Sequence, residues 1–570
     1  MNLWYRRFFL SKKIVFAKAI TAAVSFSLAL GPSAFAEGGA SGMAAGAGSL
    51  IDGFRSPPMS ARPRVIWPWM NGNVTADGIR RDLDWMRRIG VAGVETADAA
   101  IATPQVVPHR LVYMSPSWRN AFRSAAQLTD RYGMELSIGS SPGWSMTGGP
   151  WVTPGQAMKK LVWSAAAVEG GKPFRGRLPV PPANVGPLQN LPIMGDQQPT
   201  AKTAAIEFYR DSIVIAYREP VREPVPEAVT SNGGRLDAAA LSDGDLTNGA
   251  TLKPAGKDGI VWIAADYRKS VTLQGLTLGM IVDPRLGYRA AVEASRDGKV
   301  WRPAAIFPPA AQLQRFQLGE QTISFAPTTA RHFRLVLSPA APLPGSLRPA
   351  AAAAPGIVVA VGSGPAAPER EYRVNELVFR AGATVHEFEK KAMFAPPPRD
   401  FYRLAGTPAF AAGSAVDPDR VVVLTDRMKP DGTLDWTPPA GRWVVLRMGY
   451  SLTGAENHPA QAEATGLEAD KLDAADVRAY IESYLDTYEK TVGPRLFGKR
   501  GLTELSVDSS EVGQQNWTSG ILAEFERRRG YDPAPWLPAL TGVAVRSPAA
   551  SDEFLWDFRE TIDELFAENH

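Results

Sequence analysis

Two hydrophobic periods alternate along the first part of the chain. Strand-like runs such as RVIWP, VAGVET and MELSIG alternate with stretches in which apolar side chains recur every three to four residues. In the first such stretch Ile79, Leu83 and Met86 carry the helical period, with Thr75 as the predicted N-cap and Gly90 as the C-cap. Repeated strand–helix units of this length predict parallel strands joined by helices, in a barrel or an open sheet. We assign residues 61–203 to the first part of this unit.

The pattern changes after about residue 200 to short strands in which apolar and polar residues alternate. This alternation predicts a β-sandwich over residues 204–385, with the low-complexity stretch 338–370 as a long internal loop. The pieces resemble a galactose-binding-like jelly roll of the discoidin type. The resemblance is carried by Asp243-Gly244-Asp245, Ser295-Arg296-Asp297-Gly298, Ala330-Arg331-His332-Phe333-Arg334 and Glu376.

The strand–helix pattern returns near the end of the chain, after a β-rich connecting segment at residues 386–440. We predict that residues 441–570 continue the first unit, with RWVVLRMGYS as a buried strand, Asp473 as an N-cap and Gly530 as a C-cap. Five or six crossover strands are recognisable, whereas a closed (β/α)8 barrel needs eight. The fold class is therefore α/β plus all-β, with an incomplete barrel interrupted by the sandwich, and we expect the sequence to be truncated.

The first 36 residues have the pattern of an export signal. A basic start containing Arg6 and Arg7 leads into an apolar run and then Ala34-Phe35-Ala36, a small-residue cleavage signature. The twin arginine leaves both the Sec and the Tat routes open. Lys18 interrupts the run, which argues against a membrane anchor. We expect a periplasmic or secreted protein with no membrane attachment after cleavage, and a flexible Gly/Ala/Ser-rich leader at residues 37–60.

Charge and composition exclude several classes of function. Five of the 62 basic residues lie in the signal, which leaves 57 against 58 acidic residues. The chain has no basic run that could follow phosphates, so we expect no nucleic-acid partner. It has no cysteine and five scattered histidines, so thiolate chemistry is excluded and a zinc site is disfavoured. No Gly-x-Ser-x-Gly elbow or Gly-rich phosphate loop follows a strand.

The residues at the predicted strand ends favour carbohydrate chemistry. They are rich in Trp, Asn, Asp, Ser and Gly, and the faces of a pyranose are apolar while its rim is hydroxylated. The stretch TELSVDSSEVGQQNWTSG, residues 503–520, places Asp508 and Glu511 just beyond a buried strand. Two carboxylates are the minimal equipment for glycoside hydrolysis.

Four motifs, in order along the chain, resemble glycoside hydrolase family 106, the α-L-rhamnosidases. They are RPRVIWPWMNGNVTADGIRRDLDWMRRIGVAGVE, SPGWSMTGGPWV, GAENHPAQAEATGLEADKLD and VDSSEVGQQNWTSGILAEFERRRGYDPAPWLPALTG. The resemblance implies a (β/α)8-type catalytic domain with β-sandwich domains, an inverting mechanism, a rhamnose-containing substrate and, in some members, a calcium ion near the sugar. Family members are much longer than 570 residues.

The resemblance implies that Glu511 is catalytic, and we assign it as the general base. Asp508 becomes an orienting or calcium-side residue, and the second catalytic carboxylate is expected beyond His570. A surface-loop glutamate is the alternative for Glu511.

The remaining predicted substrate-binding residues each have a structural alternative. For Trp69 and Trp144 it is core packing, for Asn71 a turn with positive φ, and for His458 a hydrogen bond to a backbone carbonyl. Charges on a solvated turn are the alternative for Glu468, Asp470 and Lys471. Asn457 and Trp517 complete the predicted sugar site, whereas Asp98 is expected to be exposed.

Two other functions remain open from the sequence. One is a non-catalytic carbohydrate-binding protein, and the other is a glycosidase of different sugar specificity on the same scaffold. For the sandwich we favour a structural role over sugar binding. Metal ligands, linkage specificity and oligomeric state are not predicted.

Overall fold

The computed structural model describes residues 50–101, 103–182, 205–244, 248–281, 286–307, 318–340, 369–395, 404–510 and 512–570. The predicted signal, most of the leader and most of the loop 338–370 lie outside these residues. Residues 50–55, which we had assigned to the flexible leader, are helical.

Besides the helical residues 50–55, the described chain contains 17 strands and six α-helices. The strands are β1 Arg64–Pro68, β2 Gly93–Ala97, β3 Glu135–Gly139, β4 Lys159–Glu169, β5 Phe174–Arg177, β6 Tyr209–Arg218, β7 Ala228–Ser231, β8 Ala250–Leu252, β9 Val261–Ile281, β10 Tyr288–Ser295, β11 Arg302–Ile306, β12 Leu318–Pro339, β13 Tyr372–Arg380, β14 Val422–Val423, β15 Thr433–Trp436, β16 Arg442–Leu452 and β17 Leu502–Ser506. The helices are α1 Ala76–Arg88, α2 Pro116–Tyr132, α3 Phe388–Lys391, α4 Ala474–Val492, α5 Ile521–Arg529 and α6 Pro548–Asn569.

A parallel sheet in the order β1-β2-β3-β17 forms the first unit. One face packs on α1, α2 and α4 through a core that includes Leu83, Trp118, Leu136 and Tyr484. On the opposite face Ile66, Glu95, Ser137 and Glu504 lie in register across the four strands. Ile66 there is 71% exposed. The sheet is thus covered on one face by the described residues.

The predicted caps Thr75, Asp473 and Gly530 are confirmed, whereas the C-cap of α1 is Ile89 and not the predicted Gly90. Thr75 and Ser115 accept hydrogen bonds from the backbone N–H groups of Gly78 and Trp118, which are otherwise unpaired donors of the first turn. Asp473 caps α4 in the same way, and Gly530 ends α5 with a φ of 80°. Local capping chemistry therefore sets these ends.

A four-stranded antiparallel sheet in the order β14-β6-β16-β4 forms a second unit. The prediction that RWVVLRMGYS continues the parallel sheet is wrong, because β16 pairs antiparallel with β4 and β6. The strand is buried on both faces, and such a run does not reveal the direction of its neighbours. The unit therefore combines pieces of the segments 61–203, 204–385, 386–440 and 441–570.

The predicted sandwich is present, but it begins later than residue 204. Its seven antiparallel strands run from β7 to β13, whereas β6 belongs to the second unit. The long strands β9 and β12 change partners along their length, so that the N-terminal half of β9 lies beside β7 and its C-terminal half beside β13. Residues from both halves share one core that includes Leu278, Val292, Phe333 and Val374.

A further core joins the antiparallel sheet to the helices at the end of the chain. Leu161, Leu446 and Trp517 pack there with Phe525 and Phe558. Within the residues that the structure describes, none of the helices has the length and apolar character needed to cross a bilayer.

Candidate functional site

The carboxyl ends of the four parallel strands meet a loop from another unit. The loop between β16 and α4 crosses these ends and is hydrogen-bonded to the backbone after β2 and β3. Ala100 N–H donates to the Pro459 carbonyl over 2.8 Å, and Trp144 N–H donates to the His458 carbonyl over 3.1 Å. Since ligands of parallel α/β sheets bind at these ends, this junction is the candidate site.

His458 and Trp144 lie partly exposed at the junction. Ser145 Oγ is 3.3 Å from His458 Nδ1 and accepts a hydrogen bond from His458 N–H over 2.9 Å. Gly143 makes this approach feasible, because a Cβ there would lie 2.4 Å from the His458 carbonyl oxygen. Both predicted residues remain accessible, and their contact with a sugar stays a prediction.

Asn457 fastens the loop instead of facing solvent. Its buried Nδ2 donates to the carbonyls of Pro142 and Ala464, and its Oδ1 accepts from Gly466 N–H. A Cβ on Gly148 would lie 2.7 Å from the Asn457 Cβ. All of its hydrogen-bonding atoms are thus engaged with backbone, which replaces the predicted sugar contact by a positioning role.

Asp98 was expected to be exposed, and the structure corrects this. It is 5% exposed, and its Oδ1 accepts from Trp118 Nε1 over 3.1 Å and from Gln461 Nε2 over 3.2 Å. Burial raises the Asp98 pKa to about 7, against the opposing effect of these two hydrogen bonds. Gln461 also accepts from Arg110 and from Tyr113 N–H, so it links the segment 110–113 to Asp98.

The residues after β1 have the structural roles that were their alternatives. Trp69 is 1% exposed and packs edge-on against Trp67 and Trp118, so it forms core and does not face a ligand. Asn71 adopts a φ of 49°, and its Nδ2 donates to the Thr103 carbonyl over 2.7 Å. The packing of Trp69 and the hydrogen bond of Asn71 hold the loop after β1 in place.

Glu468 and Lys471 are buried, which overturns both the predicted sugar contact of Glu468 and the solvated-turn alternative. Lys471 Nζ lies 2.7 Å from Glu468 Oε2, and Thr147 Oγ1 donates to the same oxygen over 2.5 Å. Glu468 Oε1 has no hydrogen-bond partner among the described residues. The pair ties the loop after β3 to the start of α4.

The stretch 503–520 divides into an exposed part and a buried part. Asp508 is exposed, and its Oδ1 accepts from Ser509 N–H over 2.8 Å. Glu511, the predicted base, lies outside the described residues. Trp517 is fully buried and packs near Phe558, so the predicted sugar contact is replaced by core packing.

A cavity of about 420 Å³ adjoins this stretch. Its wall is largely apolar, with Ser510, Gly513, Gln514 and Gln515 on one side, Lys471 at the edge and α6 on the other side. The remaining lining residues are Met158, Met393, Leu472, Trp556, Arg559, Glu560, Ile562, Asp563 and Phe566. Burial lowers the Arg559 pKa to about 10, and its guanidinium lies 5.6 Å from the centre of the Trp556 ring. The volume accommodates a sugar with part of its substituent.

Several of these residues were not singled out from the sequence. Gln461 lies in a polar loop, where the sequence does not distinguish a buried hydrogen-bonding residue from a solvated turn. Arg559 lies in a helix of mixed charge, where one arginine does not stand out. Lys159, whose Nζ lies 2.7 Å from Asp470 Oδ2, has a clearer sequence signal. Lys159 and Lys160 begin the strongly apolar strand β4, where a lysine needs a buried partner or a path to solvent.

The described residues do not fit a calcium site. They contain no group of three or more His, Asp or Glu side chains placed to hold a metal ion, and Glu468 is committed to an ammonium group. A calcium ion near the sugar remains a prediction from the resemblance.

The strand-end junction and the adjoining cavity form a candidate ligand site on a parallel α/β scaffold. The family model for α-L-rhamnosidase, glycoside hydrolase family 106, matches residues 55–570, and the chain belongs to this family.

The chain is similar to a solved rhamnosidase from Novosphingobium sp. PP1Y. The two are 42% identical with a TM-score of 0.77, and the match covers 91% of this chain and 45% of that one. A curated relative from Formosa agariphila, named a putative beta-glucuronidase, is 25% identical over 521 residues, which are 91% of this chain and 29% of the relative. The chain therefore spans less than half the length of either protein.

Proposed function

We propose that the protein is a glycoside hydrolase that removes terminal α-L-rhamnose by an inverting mechanism, with Glu511 as the general base. The observation that carries the proposal is the cavity lined by Ser510, Gly513, Gln514 and Gln515 beyond the end of a parallel strand, in a chain of this family. A base in this segment lies where barrel enzymes place reacting groups. It would activate a water molecule, and an acid on the other side of the sugar would protonate the leaving oxygen.

Asp508 supports this role as an orienting residue. It is three positions from Glu511 beyond the same strand, and its side chain is exposed. His458 and Trp144 remain proposed sugar contacts outside the cavity, because both are accessible at the junction of β3 with the crossing loop.

The test is an assay of the complete gene product on aryl α-L-rhamnoside beside other aryl glycosides. We expect turnover of the rhamnoside, an inverted anomeric configuration in the first-formed product, and a loss of at least about a thousandfold in kcat for Glu511→Gln with unchanged circular dichroism. Rhamnoside binding without turnover would indicate a carbohydrate-binding protein. Near-normal activity of the variant would remove Glu511 from the mechanism.

A uronidase is the second candidate. The Formosa relative is named a putative beta-glucuronidase, and the partly buried Arg559 lines the cavity, where its guanidinium could pair with a uronate carboxylate. Aryl β-D-glucuronide therefore belongs in the same assay. Arg559→Gln should abolish its turnover, while rhamnoside turnover should change much less.

We also propose that the parallel strands belong to a (β/α)8-type barrel. Parallel sheets are normally covered on both faces, and the exposure of Ile66 on the second face supports an interior position there. In the complete protein Ile66→Lys should then lower the unfolding temperature by several degrees, whereas substitution of the exposed Trp85 on α1 by Ser should not. Equal effects would argue against a barrel.

Export to the periplasm or medium is proposed from the basic start, apolar run and Ala34-Phe35-Ala36 of the sequence. The mass of the protein recovered from cell fractions tests this. A mature N-terminus near Glu37 is expected, and retention of Met1 in the cytoplasm would contradict it.

A further inference from the structure

The stretch that follows β17 is anchored by its second half. Gln515, Asn516, Trp517 and Thr518 are all buried, whereas residues 507–510 are exposed. The cavity wall formed by Ser510, Gly513 and Gln514 therefore depends on anchors that immediately follow it.

Asp470 is the acceptor on which most of these anchors converge. Its Oδ2 accepts from Lys159 Nζ over 2.7 Å and from Thr518 Oγ1 over 2.8 Å. Its Oδ1 accepts from Leu472 N–H over 3.0 Å and from Gln515 Nε2. A carboxylate has about four lone-pair sites, so this fully buried group is saturated by donors from three segments of the chain.

Gln515 occupies its place in one orientation. While its Nε2 donates to Asp470 and to the Trp517 carbonyl, its Oε1 accepts from Lys471 N–H over 3.1 Å. A flipped amide would set oxygen against a carboxylate and a carbonyl. These hydrogen bonds fix both the position and the orientation of the Gln515 amide, and they thereby couple the cavity wall to the segment 470–472.

Asn516 attaches the same stretch to two further elements. Its Oδ1 accepts from Leu161 N–H in β4, and its Nδ2 donates to the Ala392 carbonyl after α3, both over 2.9 Å. These two bonds do not depend on Gln515. Loss of the contact between Gln515 and Asp470 should therefore shift the cavity wall while the fold stays intact.

We propose that Asp470 and Gln515 are a positioning pair that sets the cavity wall, and with it the segment carrying the proposed base, against the bound sugar. Although Gln515 borders the cavity, its amide is engaged with Asp470, Lys471 and the Trp517 carbonyl, so the pair acts by holding the backbone of Gly513 to Gln515 in place. This inference rests on the proposed function. The charge of Asp470 is essential to it, since an amide in its place would present two donors to Lys159, Thr518 or Gln515.

The pair is tested in the complete protein with Asp470→Asn, Gln515→Met and Gln515→Glu, each assayed on aryl α-L-rhamnoside. For Asp470→Asn and Gln515→Met we expect kcat, normalised to the folded fraction, to fall by about a hundredfold, with KM within about threefold of wild type. Asp211→Asn is the matched control, because Asp211 also pairs with a buried cation, Arg447, but does not line the cavity. It should leave kcat unchanged.

Gln515→Glu adds a readout that a purely structural role would not move. It places a second carboxylate against Asp470, so one of the two should take up a proton as the pH falls. We expect the ratio of variant to wild-type kcat to rise at least tenfold between pH 8 and pH 5.

Each outcome decides the proposal. Normalised kcat values within threefold of wild type, or a ratio that is flat with pH, would overturn it. If Asp470→Asn does not fold, the two Gln515 variants decide alone, since they bury no unpaired lysine. Wild-type protein without activity on any aryl glycoside would overturn the proposed function instead.

Discussion

Two buried acidic clusters in this protein have opposite electrostatic designs. At the strand ends, Glu468 lies 2.7 Å from the ammonium group of Lys471, and Asp470 lies 2.7 Å from that of Lys159. At the junction of the sandwich with α3, the three glutamates Glu320, Glu376 and Glu389 have no ion-pair partner within 4 Å among the described residues.

The carboxyl groups of the second cluster are buried without counterions, which favours their protonated form. Glu320 and Glu376 flank Gly279 of β9 in register, and Glu389 projects from α3, which packs on β12. Burial raises the pKa of Glu320 to about 8 and those of Glu376 and Glu389 to about 7. The charges of the other two glutamates raise that of Glu320 further. Pairing thus allows charge inside the strand-end site, while the junction favours neutral carboxyl groups.

The largest effect is expected when a pair at the strand ends is broken. Lys471→Met leaves Glu468 as a buried charge without a counterion, which typically costs about 3–5 kcal/mol of stability. Urea unfolding followed by tryptophan fluorescence measures the loss.

Removal of both charges is the matched control for this prediction. Glu468→Gln with Lys471→Met should recover most of the lost stability, because no uncompensated charge remains. The exposed pair Arg175–Asp435 sets the baseline, and Arg175→Ala should change stability by less than about 1 kcal/mol. A single Lys471 variant as stable as this baseline would show that the strand-end pairing does not matter.

A smaller, pH-dependent effect is expected at the sandwich junction. The folded-state pKa of Glu389 is raised above its unfolded value, so its contribution to stability is present below about pH 4.5 and is lost as pH rises through about 7. Glu389→Gln mimics the protonated form. It should raise the unfolding temperature by a few degrees at pH 8 and change it little at pH 5.

Calorimetric scans of wild type and Glu389→Gln at both pH values check this sign. A stabilisation that is equal at pH 5 and pH 8 would mean that Glu389 does not titrate in this range, and the contrast between the clusters would disappear. Glu320→Gln should behave in the same way.

The sequence predicted which segments meet better than it predicted what their side chains do. The polar strand ends, the crossing loop at residues 454–472 and the stretch 503–520 do meet at one edge of the parallel sheet. Trp69, Asn457 and Glu468 are of residue types common in sugar sites, but the same residue types also occur in buried packing and hydrogen bonding. Exposure separates the two uses, and it depends on which segments cover a residue.

The sequence by itself determined the local elements and their ends. The helical period of Ile79, Leu83 and Met86, the caps at Thr75, Ser115 and Asp473, and the alternation in the sandwich depend on neighbours within a few residues. Because these interactions join near neighbours in the chain, the sequence pattern records them directly.

Tertiary structure alone decided the partners that are far apart in the chain. It placed β16 against β4 and β6, buried Asp98 beneath Gln461, and set Asp470 between Lys159 and Gln515. Strand direction and the pairing of a buried charge depend on contacts between segments hundreds of residues apart, and no local pattern records them.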